Sequence, residues 1–384
     1  MRNRQPHRLP QLTWIEISQS ALEHNLKNFR KLAGRSPLLM PVVKGNAYGH
    51  GLAAIAQIVQ KQADWLAVVN VGEALALRQA GVRKKLMVLG FFDPNQISLA
   101  VGKNIVLPVY TLTMAKQISA AAQAKRKTFP VHVKLDVGTS RLGLRPEKTL
   151  AFLRQIKKLP GLRIEGAYSH LADSENFDQK YTKLQVEIFT KTLELFEEVN
   201  IKLRYRHLAC SAATLINSQT RFDILRIGIG LYGLWPSIET KKLYEKKFNH
   251  FTLQPVLSWH TRVIQIKQVP KNTFIGYGCS YRARRDTRIA VIPVGYWDGY
   301  DRGLSNRGEV LIRGKRRPVL GRVCMNMLML DVTDRPNVRV GDIATLIGQQ
   351  GKESISAEEL AEKAQTIHYE IVTRIQPELP RIIV

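Results

Sequence analysis

The sequence predicts an α/β fold, a (β/α)8 TIM barrel followed by a mostly β C-terminal domain. Three observations carry that reading. Eight short apolar runs recur up to Ile229. Helix-length segments separate most of them, which implies right-handed βαβ units and a parallel sheet. Beyond Trp235 the helical rhythm fades and short β-like runs divided by Gly, Pro and Asn/Asp take over. Eight βα units of this size suit a closed barrel, and no Gly-x-Gly-x-x-Gly follows the first run, as an open dinucleotide-binding sheet would require.

In chain order, residues 11 to 17 alternate like a half-buried strand, and Ser18 to Leu32 reads as a helix with Ser18 as its cap. The eight barrel runs are Leu38–Val43, Trp65–Val69, Leu86–Leu89, Ile105–Val109, Val131–Leu135, Ile164–Tyr168, Tyr205–Ala209 and Ile224–Ile229. Helices are expected over Leu52–Gln60, Glu73–Ala80, Met114–Lys125, Glu147–Lys158 and Asp178–Asn200. In the second domain, Leu257–Val269, Arg288–Gly295, Glu309–Ile312, Val319–Val332 and Ile343–Ile347 read as strands. One helix, Ser356–Lys363, opens with Ser356 and Glu359 as a capping box. The expected domains are a barrel over 12–245 and a β-rich domain over 246–384, with residues 11–17 free to pair with the latter. The charged segment Glu239 to Asn249 is the expected hinge.

The 384 residues are 45% hydrophobic and 23% charged, ordinary globular values. No apolar run is long enough for a membrane helix. The basic start, Met1 to Arg8, leads into no apolar segment and does not read as a secretory signal. Cys210, Cys279 and Cys324 are few, odd in number and far apart, which points to a reducing cytoplasm and to no metal site. The net charge of +27 raises nucleic acid as a partner. Its basic residues are dispersed, as at Lys84-Lys85, Lys125-Arg126-Lys127 and Lys315-Arg316-Arg317, and no nucleic-acid motif accompanies them. We read the charge as a solvated surface that also draws anionic metabolites.

A barrel places its active site at the C-terminal ends of the strands. The first run ends in Lys44, within Pro41-Val-Val-Lys44-Gly-Asn-Ala-Tyr48-Gly-His50-Gly51. From this stretch alone, Lys44 is either an amine whose burial lowers its pKa and frees it to condense with an aldehyde, or a rim lysine with a packed stem and a wet head. The other strand ends supply Lys134, Asp136 and Arg141, then Ser169-His170, Cys210-Ser211, and Arg226 ahead of Gly228. Ser211 and Gly228 follow the seventh and eighth strands, where such barrels often bind phosphate. An amine facing a phosphate site suggests pyridoxal 5'-phosphate, which needs both and a partner for its ring nitrogen. Taken singly, His170 also reads as a satisfied core histidine, Arg226 as the partner of an acid such as Asp223, Cys324 as a small packed residue and Tyr281 as an aromatic at a turn.

Several motifs in order resemble those of alanine racemases over nearly the whole chain. They are Val42-Val-Lys44-Gly-Asn-Ala-Tyr48-Gly-His50-Gly51, Leu135-Asp-Val-Gly-Thr-Ser-Arg141-Leu-Gly143, Tyr168-Ser-His170, Ser211-Ala-Ala, Leu225-Arg226-Ile-Gly228-Ile-Gly230, Tyr277-Gly-Cys-Ser-Tyr281, Pro293-Val-Gly-Tyr296-Trp-Asp298-Gly299 and Gly321-Arg-Val-Cys324-Met325-Asn. The resemblance implies roles. Lys44 binds pyridoxal phosphate and serves as one base, and Tyr281 serves as the other from the second subunit of a homodimer with shared sites. Arg226 faces the pyridine nitrogen. Tyr48, Ser211, Gly228 and Tyr369 hold the phosphate. His170 links Tyr281 to Arg226, Arg141 and the backbone of Met325 meet the substrate carboxylate, and Lys134 matches a lysine carbamylated in some relatives. The reaction implied is interconversion of L- and D-alanine, supplying D-alanine for peptidoglycan in a bacterial cytoplasm.

Lysine and tyrosine both have ordinary pKa values near ~10, so each must be tuned to act as a base at neutral pH. A positive cluster of His170, Arg226 and Arg141 is expected to do this. An arginine at the ring nitrogen keeps that nitrogen unprotonated, which favours racemisation over decarboxylation. The chain departs from the family pattern at Gly45, where alanine is usual, at Thr139-Ser140, where Met-Gly is common, at Cys210 for asparagine and at Asn326 for aspartate. These departures leave a broader or serine-directed racemase as an alternative. A non-catalytic protein of pyridoxal-phosphate homeostasis is another, opposed by Tyr281 and by residues 250 to 384.

Overall fold

The computed structural model describes residues 11–34, 36–247 and 251–384. The expectations for Met1 to Arg8 and for the last two residues of the segment Glu239 to Asn249 lie outside them. By contacts the described residues divide into two units, one within 20–47 and 52–255, the other of residues 11–19, 48–51 and 256–384.

The first described strand, β1 (Thr13–Ile17), belongs to the second unit. The first unit is built on eight parallel strands: β2 (Leu38–Pro41), β3 (Trp65–Val68), β4 (Lys85–Val88), β5 (Ile105–Val109), β6 (Phe129–Lys134), β7 (Leu162–Tyr168), β8 (Tyr205–His207) and β9 (Ile224–Ile227). Strands β3 to β8 form one sheet in sequence order and β2 pairs with β9. A bridge between Val42 and Ala67 joins β2 to β3. Backbone bonds from Asp223 N to Arg206 O at 2.9 Å and from Arg226 N to Ala209 O at 3.3 Å join β8 to β9. The sheet therefore closes on itself, as the rhythm of apolar runs predicts. Leu39, Met40, Leu66, Val106, Val131, Val133 and Ala167 are buried on these strands. Burial on both faces explains why the runs are continuously apolar rather than alternating.

Two connections are shorter than helix length predicts. After β4 come a turn of 3-10 helix and Ile97–Ala100, and after β8 come Ser211–Ile216 and the 3-10 turn Ser218–Thr220. Glu239 to Asn249 was expected as a hinge, yet its described part lies in the helix Ile238–Lys247, within the barrel unit. Glu239 in the first turn of that helix suits its dipole.

The second unit carries a ten-stranded sheet. In it, β1 runs antiparallel to β10 (Leu257–Arg262) with Ile15 opposite Trp259, and parallel to Arg381–Ile383 with Glu16 opposite Ile382. The stretch read as Val319–Val332 is two strands, Lys315–Leu320 and Leu328–Asp331, parted by residues 321–327. Half of the predicted capping box is present: Ser356 Oγ accepts from Glu359 N at 3.1 Å at the start of Ala357–Ala364, while the Glu359 carboxylate accepts from Arg316 and Lys363 instead. A second short helix, His368–Thr373, was not expected, and its cap position Ile367 offers no side-chain signal.

Candidate active site

Residues Gly45 to Tyr48 do not form an ordinary loop behind β2. Gly45, Asn46, Ala47 and Tyr48 all have φ between 52° and 62°. Left-handed backbone costs an L-residue roughly 1–2 kcal/mol, and glycine almost nothing. The turn is held from within by Ala47 N, which donates to Val43 O at 2.9 Å. It is held from outside by Glu73, whose Oε1 accepts from Gly45 N at 2.7 Å. So fixed a backbone aims the Lys44 side chain in one direction.

Lys44 opens to solvent, yet enough protein surrounds its amine for burial to lower its pKa from the usual lysine value, with the guanidinium of Arg141 adding to the effect. Arg226 lowers it further and Glu73 opposes both. Of the two readings of Lys44, the lowered pKa suits the amine and the exposure suits the rim lysine.

Arg226 faces the barrel interior from β9 and is only 4% exposed. Its alternative partner is excluded, because Asp223 is held by Arg206 Nε at 2.7 Å. Arg226 donates instead from Nη1 to His207 Nδ1 at 3.0 Å, and from Nη2 to Ser169 O at 2.7 Å and Leu208 O at 2.8 Å. Burial lowers its pKa to about 10, so it stays cationic at neutral pH. Its Nε has no acceptor among the described residues, which leaves one donor for a ring nitrogen.

His170 Nδ1 lies 3.5 Å from Arg226 Nη2. Burial, then Arg226, Arg141, Lys44 and Lys134, press its pKa down to about 3. The expected positive cluster is therefore corrected: Arg141 and Arg226 are its cations and His170 is neutral. Lys134 closes β6, and its Nζ donates to Leu89 O at 3.0 Å. Burial, followed by the repulsion of Arg226, Arg141 and Lys44, brings its pKa to about 8. Arg141 is exposed and makes no ion pair among the described residues, so it is available to an incoming carboxylate. The loop before it is shaped by Asp136 Oδ1, which accepts from Gly138, Thr139 and Ser140 N at 3.0–3.1 Å. Ser211 Oγ accepts from Gly228 N at 2.9 Å and Gly230 N at 3.3 Å, bringing the two loops of the expected phosphate site together.

The structure thus gathers Lys44, Lys134, Arg141, His170 and Arg226 at one mouth, with Ser211 and Gly228 joined beside one another. The remaining predicted residues lie in the second unit. There the rings of Tyr48 and Tyr369 are 6.3 Å apart. Tyr281 opposes Ile275 in a two-stranded ribbon and packs on Ile275, Ala283, Ile289, Val291 and Leu320. Met325 is 53% exposed, and its carbonyl accepts from Trp297 N at 3.0 Å. Sequence reasoning missed Glu73, His132 and His207. Glu73 stands three residues after Asn70, a spacing that signals a helix cap but not its second task. Single histidines inside strands give no signal. Among the described residues no cluster of His, Cys, Asp or Glu could hold a metal, and no helix is long and apolar enough to cross a membrane.

An amine whose pKa is lowered by burial and by Arg141, at the mouth of a parallel barrel and beside a guanidinium without an ion pair among the described residues, suits a class: enzymes that bind a carbonyl through lysine and act on an amino acid. Comparison narrows the class. Residues 17–236 match the alanine racemase N-terminal domain and residues 256–383 the C-terminal domain. The alanine racemase of Methanococcus maripaludis is 41% identical over 96% of this chain and 98% of its own. That of Halothermothrix orenii is 39% identical over 97% of both. The crystal structure of the Bacillus anthracis alanine racemase with bound L-Ala-P superposes with a TM-score of 0.92 at 36% identity, covering 98% of this chain and 96% of that one. A histidine racemase from Leuconostoc mesenteroides gives 0.87 at 30% identity over the full length of both. The chain belongs to the alanine racemase family, and with it to the pyridoxal-phosphate-dependent isomerases.

Proposed function

We propose that this protein is an alanine racemase that interconverts L- and D-alanine with pyridoxal 5'-phosphate. The observation that carries the reading is Lys44, an amine behind which the backbone turns left-handed and whose pKa is lowered by burial and by Arg141 and Arg226. The residues present fit the cofactor. Lys44 would hold its aldehyde carbon, Arg226 would partner its ring nitrogen, and Ser211 and Gly228 would take its phosphate, a role the resemblance also gives to Tyr48 and Tyr369.

Bound there, pyridoxal phosphate withdraws electrons from the α-carbon and makes its proton acidic. Every other step falls to the chain. Arg141 anchors the substrate carboxylate, and the resemblance gives the backbone of Met325 a share in that task. Lys44 Nζ takes or returns the α-proton on one face, and the Tyr281 hydroxyl of the partner subunit does so on the other. Two bases on opposite faces invert the centre without either crossing it. Arg226 keeps its own proton and so leaves the ring nitrogen unprotonated, which restrains side reactions.

The shared site requires a homodimer. Support comes from exposed aromatic and thioether surface in the unit that carries Tyr281: Tyr277 is 72% exposed, Trp297 61% and Met325 53%. A cytoplasmic site of action and a supply of D-alanine to peptidoglycan complete the reading. A broader substrate range is the second reading, favoured by the likeness to the Leuconostoc histidine racemase and by Cys210, Thr139 and Ser140 near the site. An added group in such a pocket changes discrimination by only ~1–3 kcal/mol.

The test is incubation with L-alanine and pyridoxal phosphate in deuterated water. D-alanine carrying α-deuterium is expected. Exchange without inversion would remove Tyr281 from its role, and neither product would replace alanine as the substrate.

A further inference from the structure

Glu73 lies on the helix Val71–Gln79 that follows β3, three residues after the cap. Asn70 Oδ1 caps that helix by accepting from Glu73 N at 2.9 Å. A glutamate in this position ordinarily reaches back to the N–H of the cap residue. Here its carboxylate goes elsewhere. Oε2 accepts from Val69 N at 2.9 Å, just beyond β3. Oε1 accepts from Gly45 N at 2.7 Å and Asn46 N at 3.4 Å, just beyond β2. One half-buried carboxylate therefore ties together the ends of two neighbouring barrel strands and holds the first two amides behind Lys44.

The charged and titratable groups that act on Lys44 come from five elements. They are Arg141 after β6, Lys134 at its end, His170 beyond β7, Arg226 on β9 and Glu73. His170 is neutral, and three of the others are cations at neutral pH. Glu73 is the single anion in the set. With the cations alone, Lys44 would shed its proton readily but would be a poor acceptor of another. A base in a reversible proton transfer must do both.

We propose that Glu73 is a positioning residue of the active site: its carboxylate pins the left-handed turn that aims Lys44 and supplies the one counter-charge that amine faces. The inference rests on the reading of Lys44 as the catalytic lysine. No neutral side chain does both tasks. A glutamine offers one acceptor oxygen, and its amide would turn N–H donors against either Gly45 N or Val69 N.

The test is competitive acetylation of the cofactor-free, full-length protein across pH, read lysine by lysine from peptide masses. In Glu73→Gln the labelling midpoint of Lys44 is expected to shift to lower pH, while the midpoints of surface lysines such as Lys191 stay in place. A midpoint that is unmoved or raised in a folded variant overturns the proposal. Should Glu73→Gln fail to fold by circular dichroism, Glu73→Asp withdraws the carboxylate by one methylene. A smaller shift in the same direction is expected, and no shift overturns the proposal. Protection of wild-type Lys44 by added pyridoxal phosphate tests the underlying reading separately. Loss of that protection would sink the cofactor role of Lys44 and leave the midpoint comparison to decide on Glu73.

Discussion

Arg226 Nη1 donates to His207 Nδ1 at 3.0 Å, and this one bond fixes the protons of two histidines. A guanidinium only donates, so Nδ1 of His207 is an acceptor and its proton sits on Nε2. That nitrogen is 2.9 Å from His132 Nδ1, so His132 in turn carries its proton on Nε2, which has no hydrogen-bond partner and lies against Trp65 and Tyr205. A second proton on either ring would set two donors face to face in a fully buried site.

Acid should therefore unfold the barrel through these rings. Burial, aided by Lys85, holds His132 at about 3, and burial with Arg226 holds His207 well below 6.5. Each native value lies below the unfolded one, so the unfolded chain binds protons that the native one refuses. The stability they contribute is complete above pH 6.5 and is lost as pH falls towards about 3. Denaturant unfolding across this window is expected to show the loss. His132→Gln, which still offers His207 an acceptor, should lower the slope by as much as one proton, about 1.4 kcal/mol per pH unit. Equal slopes in the two proteins would mean that native His132 is already protonated.

The same histidines show what the sequence conceals. The barrel was legible because a doubly buried parallel strand must be apolar throughout, and Leu38, Ile105 and Ile224 begin both the runs and the strands they became. Lys44 and Arg226 were legible because a charge ending or interrupting such a run is costly without a task. The charge of His170 was misread, since its neutrality depends on how deeply its neighbours bury it. Glu73 was hidden because a bond from a helix cap to a turn 28 residues earlier leaves no periodic trace. The left-handed turn was hidden because only Gly45 and Asn46 among its residues favour that conformation, and Ala47 and Tyr48 do not.

A shared site makes a stoichiometric prediction. Lys44→Ala should lose the visible absorbance of lysine-bound cofactor together with activity. Tyr281→Phe should keep the absorbance but lose ~10²–10⁴-fold in turnover of L-alanine. In a mixed dimer of the two, one site carries both changes and the other carries neither. Random re-association makes half the dimers mixed, so about a quarter of wild-type activity should return. No rescue, with mixed dimers shown by native mass spectrometry, would place Tyr281 outside the partner's site.

Lys134 is set up for carbamylation. With its pKa brought to about 8, a substantial share of its amine is neutral in mildly alkaline solution. A neutral amine adds carbon dioxide and releases one proton, and the new anion would stand among Arg141, Arg226 and Lys44. Carbon-13 spectra in labelled bicarbonate should show a carbamate signal that grows as pH passes 8 and is absent in Lys134→Ala. A wild-type spectrum without that signal would end the assignment.

Two glycines of the lysine loop should answer the same substitution differently. At Gly45, φ is +62° and an added Cβ meets nothing within 4 Å. Alanine there bears only the left-handed penalty of ~1–2 kcal/mol, against ~0.4–1 kcal/mol gained by restricting the unfolded chain. The net loss should stay below about 1.6 kcal/mol, and a normal turn should survive, with Lys44 still reactive. At Gly49, φ is +83° and an added Cβ would stand 1.9 Å from Val372 O, backbone that cannot turn aside. Both penalties then act at once, and the loss should exceed about 3 kcal/mol, the range in which overpacking and backbone strain combine. Thermal unfolding of the two variants decides the matter. Similar losses at both positions would mean that the loop relaxes freely, and a turn that relaxes could not be what aims Lys44.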